Sequence, residues 1–162
     1  MKTLISCALA AGSLAIAGAA SAQSCEALAR LDDFGSLAFG TRLAALPDGF
    51  SVVDHCASGV SEAECVLQDE RGVTYSLYDG YILSKYVEVG AAPLPWDFSE
   101  GADRARAARL LSAVTQQSAT GVLSPDNQLH VRSQFACGDA WGQAFARYSG
   151  NRLVAVGIET AL

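Results

Sequence analysis

The chain has 162 residues, 51% of them apolar and 17% charged, and a formal net charge of −6. That balance excludes a disordered chain. It also argues against a nucleic-acid partner or an anionic membrane surface, both of which need clustered Lys and Arg.

Residues 1–22 read as a cleaved signal peptide. Lys2 gives a short positive start, residues 4–20 form an Ala-rich apolar run, and Ala20-Ser21-Ala22 fits the small-x-small cleavage pattern. Cleavage leaves 140 residues beginning at Gln23, the size of one ordinary domain. No later segment approaches a membrane span, so the expected location is periplasmic or secreted. Cys7 leaves with the leader. The four remaining cysteines suggest two disulfides, for which three connectivities exist. The favoured pairing is Cys56–Cys65, across a short loop between two strands, with Cys25–Cys137 tying the N-terminal helix to the second half.

In chain order, Ser24 caps a short helix over 25–33, with Leu28 and Leu31 at helical spacing. Thr41 caps a brief second helix running to Leu46, which Pro47 stops. Strands follow at 50–56 and 64–69. Val73, Tyr75 and Leu77 alternate with Thr74, Ser76 and Tyr78, the signature of a half-buried strand. Asp79-Gly80 is a two-residue hairpin turn, and 82–89 continues the meander. Residues 90–95, Gly-Ala-Ala-Pro-Leu-Pro, read as a linker. Ser99 then caps the strongest helix, which buries Ala107, Leu110, Leu111 and Val114. A loop over 120–127 precedes strands at 129–137, 140–148 and 152–158, the last two joined by Ser149-Gly150.

Sliding the sequence by seventy sets Gly72 on Gly142, Tyr75 on Phe145, Tyr78 on Tyr148 and Leu83 on Leu153. The fold class this predicts is α+β: two degenerate helix/antiparallel-sheet repeats, 23–89 and 96–162, flanking the linker 90–95 and forming one disulfide-stabilised domain.

Phe39-Gly40-Thr41 before a short helix, the close pair Cys56 and Cys65, and the paired turns Asp79-Gly80 and Ser149-Gly150 together carry a likeness. On these residues the chain resembles the β-lactamase inhibitory protein-like family and the small outer-membrane assembly lipoproteins related to it. It departs in two places. Arg42-Leu43-Ala44-Ala45 lacks the acidic residue usual in that helix, and the second half has only Trp96-Asp97-Phe98-Ser99 where Phe-Gly would recur. The resemblance implies a tandem helix-then-sheet fold and a partner that is an envelope enzyme or enzyme inhibitor.

Catalytic patterns are thin. Cys137-Gly-Asp-Ala-Trp141 looks like a cysteine-protease surround with His55 or His130 as base, but an even cysteine count in an oxidising compartment makes Cys137 half of a disulfide. His55, Cys56 and His130 lack metal-ligand spacing, so no metal or cofactor is expected. The carboxylate pairs Asp32-Asp33, Glu62/Glu64 and Asp69-Glu70 read as solvated surface, and Arg104, Arg106 and Arg109 as a solvated helix face. The aromatics stand out more. Tyr75 and Phe145 are expected in the core, and Tyr78 and Tyr148 on the open sheet face, with Tyr81 and Trp141 as less well placed binding candidates. Tyr and Trp on a rigid sheet dominate protein interfaces. The expectation is an exported, non-enzymatic binding module recognising an envelope or secreted protein; the alternatives are a small envelope hydrolase or a structural envelope component.

Overall fold

The computed structural model describes residues 26, 28–56, 59–61, 64–123, 128–137 and 140–160. Eight strands are formed: β1 (Phe50–Asp54), β2 (Cys65–Asp69), β3 (Val73–Tyr78), β4 (Tyr81–Glu88), β5 (Thr120–Leu123), β6 (Leu129–Cys137), β7 (Ala140–Ser149) and β8 (Arg152–Thr160). They make one continuous antiparallel sheet in the order β1-β2-β3-β4-β8-β7-β6-β5. Helix α1 (Arg104–Thr115) and helical residues 28–31 lie against it.

The expected α+β pair of helix-and-sheet repeats is therefore corrected to a single eight-stranded sheet. The reason lies in what covers it. Leu31 of the N-terminal helical residues and Ala107 and Leu111 of α1 pack into the same core cluster, with Ala144, Ala146, Tyr148, Leu153, Val156 and Ile158 of β7 and β8. Both helical segments thus cover the second group of strands. The first group packs its own cluster of Leu67, Val73, Tyr75, Leu77, Ile82 and Val87 under irregular chain that contributes Phe34, Leu37 and Leu43.

That irregular cover is held by two buried polar clasps. Lys85, fully buried, donates from Nζ to the carbonyls of Asp32 (2.9 Å), Phe34 (2.5 Å) and Leu37 (3.2 Å), and pairs with Asp32 Oδ1 at 2.5 Å. Asp69 accepts from Ser36 N–H (3.1 Å), Ser36 Oγ (2.8 Å), Val73 N–H (2.9 Å) and the Tyr75 hydroxyl (2.9 Å). Asp32 and Asp69, read as solvated surface, are instead structural groups, because each satisfies backbone donors that burial would otherwise leave unpaired.

The second helix expected from Thr41 does not form. Thr41 accepts from Ile82 N–H (2.9 Å), Leu43 N–H donates to Gly80 (2.8 Å), and Arg42 bridges Tyr81. The start of β4 thus takes the backbone groups that a helix would have used. The N-cap of α1 is Asp103, not Ser99, and its carboxylate accepts from Arg106 N–H at 2.7 Å. The expected loop at 120–127 contains β5, a short edge strand. Cys56 and Cys65 form a disulfide; Cys25, the Cys137 side chain and the leader lie outside the described residues. Among the described residues no helix is long and apolar enough to cross a membrane.

Candidate binding surface

Asp79 (φ 49°) and Gly80 (φ 77°) make the β3–β4 turn as expected, since positive φ at both central positions matches the twist of the flanking strands. The turn sets Tyr78 opposite Tyr81. Both are exposed, at 55% and 42%, and the Arg42 guanidinium lies 5.2 Å from the Tyr81 ring centre. Trp141, 60% exposed, stands near the start of β7 opposite Ala136. Ser84 of β4 pairs with Glu159, and Gly142 of β7 pairs with Thr160. The start of β4, the end of β8 and the start of β7 therefore share one end of the sheet, which brings Tyr78, Tyr81 and Trp141 to the same rim.

Tyr148 does not join them. It is fully buried on the helix-covered face, and its hydroxyl donates to the Ala102 carbonyl at 2.9 Å. Burial pushes that hydroxyl up to about 12, helped by the charge of Asp103 and opposed by Arg104. The cause of the misplacement is one residue of register. Ser149 pairs with Arg152, so the β7–β8 turn is Gly150-Asn151 and not Ser149-Gly150. The two hairpins therefore correspond at an offset of one more residue than expected, which sets Ser149 level with Tyr78 and Tyr148 level with the buried Leu77. Tyr148 moves with Ala144 and Ala146 into the core, while Phe145 turns to the face without helices.

That helix-free face carries a second cluster, which the sequence reading missed. Gly157 of β8 lies between Tyr86 on β4 and Phe145 on β7, whose ring centres are 6.5 Å apart. Arg147 stacks 5.4 Å from the Tyr86 ring, and the His130 ring is 6.1 Å from Phe145. Arg132 Nη2 is 3.0 Å from His130 Nδ1. Glu159 accepts from Gln143 Nε2 at 2.8 Å, with Arg132 Nη2 3.6 Å away. Burial raises the Glu159 carboxyl above its usual range, against the pull of Arg132 and Gln143. Burial likewise raises the Tyr86 hydroxyl, opposed by Arg147. The available signal was a glycine inside a strand pattern, which marks a close approach of neighbours.

No family model matches the chain, and no curated protein or solved structure does either.

The groups that could have carried a reaction are dispersed. His55 follows β1 at one edge of the sheet, and His130 lies on β6 beside the other. Cys56 and Cys65 are oxidised together. Among the described residues no three His, Cys, Asp or Glu side chains converge as a metal site. What remains is a rigid sheet with aromatic side chains at one rim and a packed, charged aromatic cluster on the open face. Such an arrangement can anchor a surface.

Proposed function

We propose that the chain is an exported, non-enzymatic binding module whose partner is a protein of the cell envelope or the secreted fraction. The observation that carries this reading is the placement of Tyr78, Tyr81 and Trp141, all exposed, at one end of the sheet. Large rigid aromatics supply contact area at low entropic cost, so they serve as interface anchors. The leader pattern of residues 1–22 and the Cys56–Cys65 disulfide support export to an oxidising compartment. The likeness to the β-lactamase inhibitory protein-like family, resting on Phe39-Gly40-Thr41 and the Cys56 and Cys65 spacing, makes an envelope enzyme or enzyme inhibitor the proposed class of partner.

The test is a pull-down from envelope and culture-supernatant extracts with the oxidised protein, beside a Tyr78→Ala/Tyr81→Ala/Trp141→Ala variant. All three side chains are exposed, so the variant is expected to keep its fold, checked by circular dichroism. A single saturable partner lost with the variant is the expected outcome. A partner retained by the variant would move the site elsewhere, and no saturable partner in either extract would reject the reading.

A further inference from the structure

The helix-free face carries a polar hollow separate from the aromatic rim. Ser76 pairs with Ser84, Ser84 with Glu159, and Glu159 with Gln143. Directly opposed residues of an antiparallel pair share a face, so one row of polar side chains crosses β3, β4, β8 and β7. Two residues beyond Ser84, Tyr86 stands on the same face, with Arg147 stacked on its ring. A hollow of about 360 Å³ lies here, and Ser76, Leu83, Ser84, Tyr86, Arg147 and Glu159 are among its lining residues. That volume falls within the range of about 300–1,000 Å³ in which small ligands are held. The serines are short and form the base, and the longer side chains stand around them.

The charges at its border are already matched. Glu159 accepts from Gln143 Nε2 at 2.8 Å and has Arg132 Nη2 at 3.6 Å, while Arg147 Nη2 lies 4.0 Å from Glu88 Oε1. A charged ligand would lose hydration here without finding a spare counter-charge. Hydrogen-bonding capacity, by contrast, is left over on both sides. Both contacts of Glu159 fall on Oε1, and a carboxylate has about four acceptor sites. Arg147 Nε is buried with no hydrogen-bond partner among the described residues, and 4.0 Å is beyond bonding reach for Nη2. The hollow is thus bordered by an acceptor on β8 and a donor on β7, with serine hydroxyls that do both. Their existing contacts hold these groups in place, which lowers the ordering cost of binding.

We infer that this hollow binds a neutral sugar. A sugar ring presents neighbouring hydroxyls, each both donor and acceptor, around an apolar C–H face. The hydroxyls match Glu159, Arg147, Ser76 and Ser84. The C–H face meets Leu83 and the border of the Tyr86 ring, whose π-system is negative on its face. The site shares no residue with the rim of Tyr78, Tyr81 and Trp141. It therefore adds to the protein-binding reading and does not depend on it.

The experiment is saturation-transfer NMR of the oxidised protein with D-glucose, D-galactose and their N-acetylated 2-amino forms, beside the corresponding uronates and free 2-amines. The expected result is a saturable signal from at least one neutral sugar, with its charged relatives weaker by about tenfold. Glu159→Gln and Ser84→Ala, each checked for its fold by circular dichroism and thermal unfolding, weaken that sugar on the order of tenfold. Tyr78→Ala/Trp141→Ala leaves it unchanged. Disaccharides of the bound sugar separate two sources, and both support the site: tighter binding marks the end of a glycan chain, equal binding a free sugar. Binding that survives both hollow variants and is lost with the rim variant would move the sugar to the rim and overturn the hollow. Uronates or free amines that bind as well as the neutral forms would overturn the charge argument. No saturable signal from any neutral sugar would sink the inference and leave the pull-down result untouched.

Discussion

Lys85 occupies a strand position where the pattern calls for an apolar residue, and it is fully buried there. Burial lowers its pKa, and the Asp32 carboxylate works in the opposite direction. Three carbonyls and one carboxylate replace the water that the ammonium loses, and the Phe34 ring lies 4.5 Å from Nζ. Such a site is costly when one partner is removed, because the other charge stays behind. Lys85→Met is expected to destabilise by about 3 kcal/mol or more in urea unfolding of the oxidised protein. Lys85→Met/Asp32→Asn should cost less than the sum of the single changes, since neither charge is then stranded. Additive costs would mean that the pair is not coupled.

At the scale of the element, β8 depends on Gly157. A Cβ there would lie 2.3 Å from the Lys85 carbonyl oxygen and 2.5 Å from Tyr86 Cβ, both on β4. The clash is with the backbone of the central pairing, which cannot swing aside. Gly157→Ala is expected to cost about 1–3 kcal/mol in thermal or urea unfolding. Gly101→Ala, with open space around it, should change stability by less than about 0.5 kcal/mol. Equal effects would remove the close-packing argument for the aromatic pair over Gly157.

The elements also show what the sequence could carry. Strand β3 and its Asp79-Gly80 turn were legible, because a period of two and a left-handed turn pair are local properties. Tyr78 was legible as an exposed aromatic for the same reason, whereas alternation did not place Tyr81 and Trp141. The face of Tyr148 was not, because Ser149-Gly150 and Gly150-Asn151 are equally good turns by composition, and the choice between them decides whether Tyr148 corresponds to the exposed Tyr78 or to the buried Leu77. Four residues of Thr-Gly-Val-Leu are too short to register as β5. The helix from Thr41 failed for a non-local reason: the unpaired start of β4 offered that segment better hydrogen-bond partners. Asp32 and Asp69 looked like surface charges because Lys85 and Ser36, which bond them, lie far off in sequence. The open-face cluster of Tyr86, Phe145, Arg132 and Glu159 draws on four strands, and no spacing within one strand reveals it.

Across the whole molecule, two buried tyrosines set the alkaline limit of stability. The Tyr75 hydroxyl is pushed up to about 12 by burial and by its bond to Asp69, against the opposing Ser36 and Leu37 N–H groups. Tyr148 reaches about 12 as well. Both folded values lie above the unfolded value of about 10. Each therefore contributes stability that is full below about pH 10 and lost as the pH rises through about 12. Urea midpoints should hold level near pH 8–9 and fall steeply between about pH 10 and 12, with a shallower fall in Tyr148→Phe. An unchanged slope in that variant would remove Tyr148 from the account. Asp69 acts at the other limit. Burial raises its pKa but the bonds from Val73, Ser36 and Tyr75 outweigh it, so the net shift is down. Its contribution is present above the unfolded carboxylate value and disappears as the pH falls through the folded one.

The strand order has a kinetic side. Among the described residues the last strand, β8, sits in the middle of the sheet, and its pairing with β4 joins the two four-strand groups in the ladder. A ribosome delivers β1 to β4 and then β5 to β7 before the strand that joins them exists. Until then β4 and β7 each present a bare inner edge, and the pairing that covers β4 links Glu88 to Ala155, far apart along the chain. Loop closure on that scale precedes its reward, so folding is expected to be slow for the size and to be limited by the docking of β8. The steepest risk of mispairing falls in that interval, when the edges that later form the centre of the protein are its most adhesive surfaces.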